Sequence, residues 1–230
     1  TDGFSSKNIS VEHYNSFYIE MVITFCMFFG GINFVLIFKA SQRQLKEVFK
    51  DIELRVYVLL IVLVLALIAN DLVRHGNYES LQTAARYAIF QIVSITTTTG
   101  FSSQNWESWP EFSQTLLLSL MVLGGMAGST AGGVKIIRLV ILIKYAVREL
   151  HMIIHPRAVI SIKLGNHPIS REIIRSVLAF FAIFSLILVF GTLSLTVMGL
   201  DLLTSFSAVL TSIGNVGPGL NLVGPGHNFY

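Results

Sequence analysis

An all-α membrane protein, assembled from repeated helix, re-entrant helix, loop and helix units around a shared axis, is the fold class this sequence predicts. Three observations predict it. Only 13% of the 230 residues are charged and 53% are hydrophobic, with a mean hydropathy of +0.69, whereas a soluble domain carries about a quarter charged residues. Two long apolar runs, Ile52 to Ala69 and Val177 to Met198, each come near the ~20 residues that cross a bilayer. Finally, TDGFSSKN at 1–8 returns as TTGFSSQN at 98–105, and recurrence of this kind signals repeated architecture.

Taken in order, Tyr14 to Phe38 predicts a membrane helix, followed by a charged stretch from Lys39 to Arg55. Leu54 to Leu72 spans back. Glu79 to Ile95 is apolar but interrupted by Gln82, Arg86 and Gln91, which makes it a poor full span and a better re-entrant helix. Glu111 to about Lys144 reads as a long helical stretch with a glycine-rich centre. Arg148 to Arg175 is basic and mostly polar, with Pro156 and Pro168. Ile173 to Gly199 spans again, and the short Asp201 to Ile213 helix leads into GNVGPGLNLVGPG.

The opening residues lack the basic and apolar regions of a signal peptide, and the chain reads as a segment of a longer protein. The single Cys26 excludes an internal disulfide.

Lys and Arg in the short connections set the orientation. The stretch 39–55 holds Lys39, Arg43, Lys46, Lys50 and Arg55, and 144–175 holds Lys144, Arg148, Arg157, Lys163, Arg171 and Arg175. Between 70 and 115 only Arg74 and Arg86 face Asp71, Glu79, Glu107 and Glu111. The first two stretches are therefore cytoplasmic, and the Thr/Gly loops face outside.

The repeat extends beyond the loops. MFFGG at 27–31 echoes MVLGG at 121–125, and NVGP at 215–218 is a weaker third copy of the loop. Non-helical backbone at membrane depth survives only when buried in protein or lining a wet cavity. Loops that each end a short helix can meet on one axis, where their carbonyl oxygens replace the hydration shell of a cation. Glycine allows the dihedrals that turn consecutive carbonyls the same way. The negative end of each short helix favours a cation there. Close packing of helices is the competing reading of one TTTTG, and the recurrence of Gly-Phe-Ser-Ser weighs against it.

TTTTGFSS (96–103), LGGMAGSTAGGVKIIR (123–138), HPRAVISIKLGNHPIS (155–170) and NVGPGL (215–220) resemble the TrkH/KtrB/HKT superfamily of potassium transporters, most closely its bacterial TrkH branch. The resemblance covers nearly the whole chain. It implies potassium-channel-like units around a central pore, with residues 1–50 ending a second repeat (filter loop and inner helix). Residues 51–150 would form a third repeat, and 151–230 a cytoplasmic segment and a fourth repeat to just past its filter loop.

The resemblance makes Thr1, Asp2 and Gly3, Thr98, Thr99 and Gly100, and Asn215, Val216 and Gly217 the selectivity filter, with K⁺ at the last two loops. Two positions depart from the pattern. Asp2 puts a charge where the family has a small or hydroxyl residue, and Pro218 follows the fourth glycine at a position whose N–H a carbonyl-lined filter does not use.

GGMAGSTAGG at 124–133 places Gly124, Gly128 and Gly132 at every fourth residue, a helix-packing pattern. Gly125 and Gly133 lie off that stripe, and each interior glycine weakens a helix by about 1 kcal/mol relative to Ala. The resemblance implies an intramembrane gate loop containing Gly124, Gly125, Gly128, Ser129, Thr130, Gly132 and Gly133. Lys135 and Arg138 follow it as gate elements or as anchors at the cytoplasmic interface.

The family reading implies potassium uptake across a bacterial inner membrane by a multi-pass, non-enzymatic subunit. Potassium is then the transported ion, with no covalently bound cofactor. Partners implied are membrane lipid, a second copy in a homodimer and a cytosolic nucleotide-binding regulator of the TrkA kind, with no nucleic acid. A Na⁺-permeable or Na⁺-coupled transporter of the same superfamily is the alternative. A remote one is an intramembrane serine protease built on Ser129, for which no histidine on an apolar helix supplies a base. His151 and His155 have metal-compatible spacing but no carboxylate between them.

Overall fold

The computed structural model describes residues 5, 10–155, 161–165 and 167–224. Nine α-helices occur among them: α1 (Phe17–Gly30), α2 (Phe34–Ser41), α3 (Leu45–Lys50), α4 (Ile52–Arg74), α5 (Leu81–Thr96), α6 (Glu111–Val122), α7 (Ile136–Ile154), α8 (Arg171–Val197) and α9 (Leu202–Gly214). The all-α reading holds apart from one two-stranded antiparallel hairpin, β1 (Lys163–Leu164) with β2 (His167–Pro168).

Among the described residues, α4 and α8 are long and apolar enough to cross a membrane. Asp51 starts α4 by accepting the Leu54 N–H at 2.9 Å, and Ser170 starts α8 by accepting from Ile173. Helix α4 buries Leu54, Tyr57, Ile61, Val64, Ile68 and Leu72 on one face at the spacing of an amphipathic stripe. Its other face exposes Leu59, Val62 and Leu63, as α8 exposes Ile183, Leu186, Ile187 and Phe190. Such faces are stable against lipid tails, which are as apolar as leucine.

Each of these helices packs against the short helix that follows it, α4 on α5 and α8 on α9. At 16 and 13 residues, α5 and α9 fall short of a ~30 Å hydrocarbon core at ~1.5 Å per residue. Every residue of α5 from Phe90 to Thr96 is buried, so this helix lies inside protein rather than in lipid. Its Arg86, a polar interruption in the sequence, pairs with Glu20 of α1 at 2.7 Å and lies over the Phe17 ring.

One expectation is corrected. Tyr14 to Phe38 is not one helix: α1 and α2 meet at 104°. The chain turns at Gly31, where an added Cβ would stand 2.5 Å from Tyr57 Oη and 2.8 Å from Thr97 Cγ2, and Asn33 restarts the helix by accepting the Val35 N–H.

Glu111 to Lys144 is interrupted at residues 123–135, between α6 and α7, where the resemblance put a loop at 124–133. The stretch from Arg148 is partly regular, because α7 runs on to Ile154 and the β1–β2 hairpin follows. The basic stretch 39–55 likewise contains α3.

Candidate functional site

Helices α5 and α9 end in the same backbone figure. After α5, Thr98 takes φ 53° and Gly100 φ 79°; after α9, Asn215 takes φ 58° and Gly217 φ 107°. In each loop a residue of ordinary φ, Thr99 or Val216, sits between the two left-handed ones. Left-handed conformation costs a β-branched residue such as Thr98 of order 1–3 kcal/mol, and such strain persists where the surroundings enforce it.

The enforcing bonds also repeat. The Thr99 N–H donates to the Ser94 carbonyl at 2.9 Å, and the Val216 N–H to the Thr211 carbonyl at 2.9 Å. The Ser94 hydroxyl then reaches forward to the Phe101 carbonyl at 2.6 Å, and the Thr211 hydroxyl to the Pro218 carbonyl at 3.3 Å. Both straps span seven residues and close the loop onto its own helix. Pro218 thus contributes an acceptor and is asked for no N–H. Thr97 adds a hydroxyl contact to Thr99 Oγ1 at 2.8 Å.

Ser94 and Thr211 were not among the residues singled out in the sequence. Their signal was present: a hydroxyl residue stands at the same distance before Gly100 and Gly217.

Thr1, Asp2 and Gly3 lie outside the described residues. The chain after them is tied to the second loop: the Val11 N–H donates to the Ser102 carbonyl at 3.0 Å, and the Ser102 N–H to Ser10 Oγ at 3.2 Å.

The glycine-rich segment 123–135 folds back on itself and is fastened at several points. Its base closes through Gly124 N–H to the Val134 carbonyl at 2.7 Å and Ile136 N–H to the Gly125 carbonyl at 3.3 Å. Its tip meets the break between α1 and α2. There Thr130 donates through both N–H and Oγ1 to the Gly30 carbonyl, and the Gly128 carbonyl accepts from Phe34. Ser129 spends its hydroxyl on the Met126 carbonyl, and Gly133 takes φ 62°.

Gly132 occupies the junction with both helix-terminal loops. Its N–H donates to Thr98 Oγ1 at 2.7 Å. A Cβ there would stand 2.6 Å from the Gly214 carbonyl oxygen and 3.0 Å from Asn215 Cβ, so backbone meets backbone with no room for a side chain.

Lys135 turns its ammonium onto the Ala131 carbonyl within the segment. Arg138, by contrast, places its guanidinium 4.0 Å from the centre of the Phe180 ring on α8. A buried carboxylate completes the arrangement. Glu53, 7% exposed in the first turn of α4, accepts through Oε1 from the Ala127 N–H at 2.8 Å and from the Ile137 N–H at 3.0 Å.

Both loops lie at the C-terminal, negative end of a short helix, an end that favours a cation over an anion. Among the described residues no group of three His, Cys, Asp or Glu could hold a metal ion, and the His151 ring faces the Val147 carbonyl.

Residues 1–224 match the family model described as TrkH, cation transport protein. The chain is 37% identical over 219 residues to the Trk system potassium uptake protein TrkH of Salmonella typhimurium, covering 95% of this chain and 45% of that protein. It is 34% identical over 218 residues to the Trk system potassium uptake protein TrkG of Escherichia coli K12, covering 94% and 45%. The crystal structure of the potassium transporter TrkH from Vibrio parahaemolyticus superposes with a TM-score of 0.87 at 36% identity, over 96% of this chain and 47% of that one. The chain therefore spans about half the length of these relatives.

Proposed function

The chain belongs to the TrkH family of cation transport proteins, and on that premise we propose that it forms part of a potassium uptake subunit in a bacterial inner membrane. In this reading Thr98, Thr99 and Gly100, Asn215, Val216 and Gly217, together with Thr1, Asp2 and Gly3, supply the carbonyl ligands of a selectivity filter. The glycine-rich loop 124–133 is its gate, with Lys135 and Arg138 behind it. Residues 51–150 and 151–230 then correspond to successive repeats around the pore. The observation that carries the reading is the paired figure after α5 and α9, left-handed at the same two positions and strapped by Ser94 and Thr211. The names of the relatives supply the ion.

In this reading transport takes two steps. A K⁺ ion sheds water where fixed carbonyl dipoles replace its hydration shell. It then leaves past the loop whose Gly132 abuts both filter loops. Lipid covers the exposed faces of α4 and α8. By family, a homodimer with a nucleotide-binding regulator of the TrkA kind on the basic cytoplasmic stretches completes the assembly.

The filter is tested in the full-length protein with Gly100→Asp, which puts a side chain on a left-handed residue and a charge beside the ion. Rubidium uptake falls to background if the assignment is right, and uptake at the wild-type level sinks it. For the gate, deletion within 124–133 raises flux without the regulator; unchanged flux makes the segment a packing element. Reversal potentials in K⁺ against Na⁺ separate potassium uptake from sodium permeation.

A further inference from the structure

Glu53 is the one carboxylate described in contact with the backbone of the 123–137 region, and the uptake reading leaves it without a role. A buried carboxylate is costly unless its oxygens receive hydrogen bonds. This one is supplied by two backbone N–H groups from opposite sides of the loop, Ala127 in its descending arm and Ile137 at the start of α7, both on Oε1. The two donors are ten residues apart in sequence, so a single oxygen ties the loop to the start of α7 as well as to α4. Charge-assisted bonds of this kind are about twice as strong as neutral ones.

The position of Glu53 gives the contact direction. It lies in the first turn of α4, directly after the α3 segment that the charge pattern puts in the cytoplasm. Arg55 donates to the Phe49 carbonyl at 2.7 Å, tying α4 to α3, and Lys39 pairs with Glu47 at 2.9 Å, tying α3 to α2. One turn further along α4, Tyr57 donates to the Phe28 carbonyl at 3.2 Å and fills the space left by Gly31 at the α1–α2 break. One face of α4 therefore holds both interrupted helices.

We propose that Glu53 is a latch: its carboxylate holds the 123–135 loop in the position described and couples that position to displacement of the cytoplasmic α3–α4 segment. The latch rests on the reading of this loop as the gate. Pulling the first turn of α4 away withdraws Oε1 from Ala127 and Ile137 together. The loop then loses its ties to α4, while its own base bonds between Gly124 and Val134 and between Ile136 and Gly125 remain, as does the Thr98 contact to Gly132.

The test compares Glu53→Ala and Glu53→Gln in the full-length transporter, reading rubidium flux and the Rb⁺/Na⁺ permeability ratio in proteoliposomes without a regulator. Loss of an ionic acceptor shared by two N–H groups raises flux about tenfold in Glu53→Ala, on the scale of one hydrogen bond to a charged group. The permeability ratio stays unchanged, because the filter bonds are untouched. Glu53→Gln keeps an oxygen for both N–H groups and returns flux most of the way to wild type. A merely structural role predicts the reverse pattern, lower flux with less protein in the membrane.

Unchanged or lower flux in Glu53→Ala at normal membrane amounts overturns the latch, provided the loop deletion raises flux. If the deletion also leaves flux unchanged, the gate reading falls and takes the latch with it. Should Glu53→Ala fail to accumulate, Glu53→Asp, which withdraws the carboxylate by one methylene, is judged by the same criteria.

Discussion

Gly132 donates its backbone N–H to Thr98 Oγ1 at 2.7 Å, which fastens the segment between α6 and α7 to the loop that ends α5. The same glycine lies against the Gly214 carbonyl at the end of α9. A single backbone position thus senses two of the loops proposed to bind the ion, and the segment cannot swing away without releasing both contacts. On the proposed reading of the two segments as filter and gate, opening and ion coordination would be mechanically linked at this residue.

Thr98→Val removes the acceptor while keeping the β-branched shape on the same left-handed backbone. The Gly132 N–H, in a partly buried site, then loses its partner, a loss at the low end of the roughly 1–3 kcal/mol for an unpaired donor, about 1 kcal/mol. With the latched state weakened by that amount, rubidium flux in the regulator-free protein rises on the order of fivefold. Thr98→Ser keeps the hydroxyl and stays near wild type. Equal flux in the two variants removes the Gly132 contact from the gating argument.

The matched straps predict matched phenotypes. Ser94→Ala and Thr211→Val each delete one hydroxyl-to-carbonyl bond, worth about 1 kcal/mol, behind a filter loop. Both variants lower the K⁺/Na⁺ permeability ratio, because the carbonyls of Phe101 and Pro218 are freed to rotate, and both leave the amount of membrane protein unchanged. Bi-ionic reversal potentials check this. A loss of selectivity in only one of the two means the loops are not equivalent.

Gly132→Ala brings a Cβ to 2.6 Å from a backbone oxygen, and neither backbone can yield cheaply. Overpacking of this kind costs about 1–3 kcal/mol, so the loop is displaced and thermal stability in detergent falls with a change in flux. Gly76→Ala is the control. It is also left-handed, at φ 73°, but meets nothing within 4 Å, so it costs only the ~1–2 kcal/mol of the backbone conformation and leaves flux alone.

The long elements were legible because their signal is local. The apolar runs became α4 and α8, and the polar-interrupted stretch from Glu79 to Ile95 became α5 at Leu81–Thr96. The short helix expected from Asp201 to Ile213 is α9, Leu202–Gly214. What escaped depends on contacts between distant parts of the chain. Gly31 stood out only as part of the MFFGG echo, and the approach of Tyr57 and Thr97 is what explains why the chain turns there. Glu53 looked like a blemish in an apolar run, since its partners lie 74 and 84 residues away. Neither helical periodicity nor a repeat search reaches that far.

Asp201 supplies a pH-dependent prediction at the outer end of α9. Its carboxylate accepts the Thr204 hydroxyl and, at 3.0 Å, the Thr204 N–H, and it receives Asn221 Nδ2 at 3.2 Å from beyond the filter loop. The hydroxyl bond first, then the N–H, holds this carboxyl below the usual Asp value, about 3.9 in the unfolded chain. The folded state therefore binds the proton more weakly than the unfolded state. The group's stabilisation is fully present above pH ~4 and fades as pH falls through the lowered folded value. Thermal unfolding of the full-length protein accordingly shows no pH dependence from this group between neutral pH and about pH 5. On further acidification the wild type loses stability faster than Asp201→Asn, which keeps a capping oxygen but has no charge to titrate. Parallel acid limbs for the two proteins would show that the cap on α9 does not depend on the ionised form.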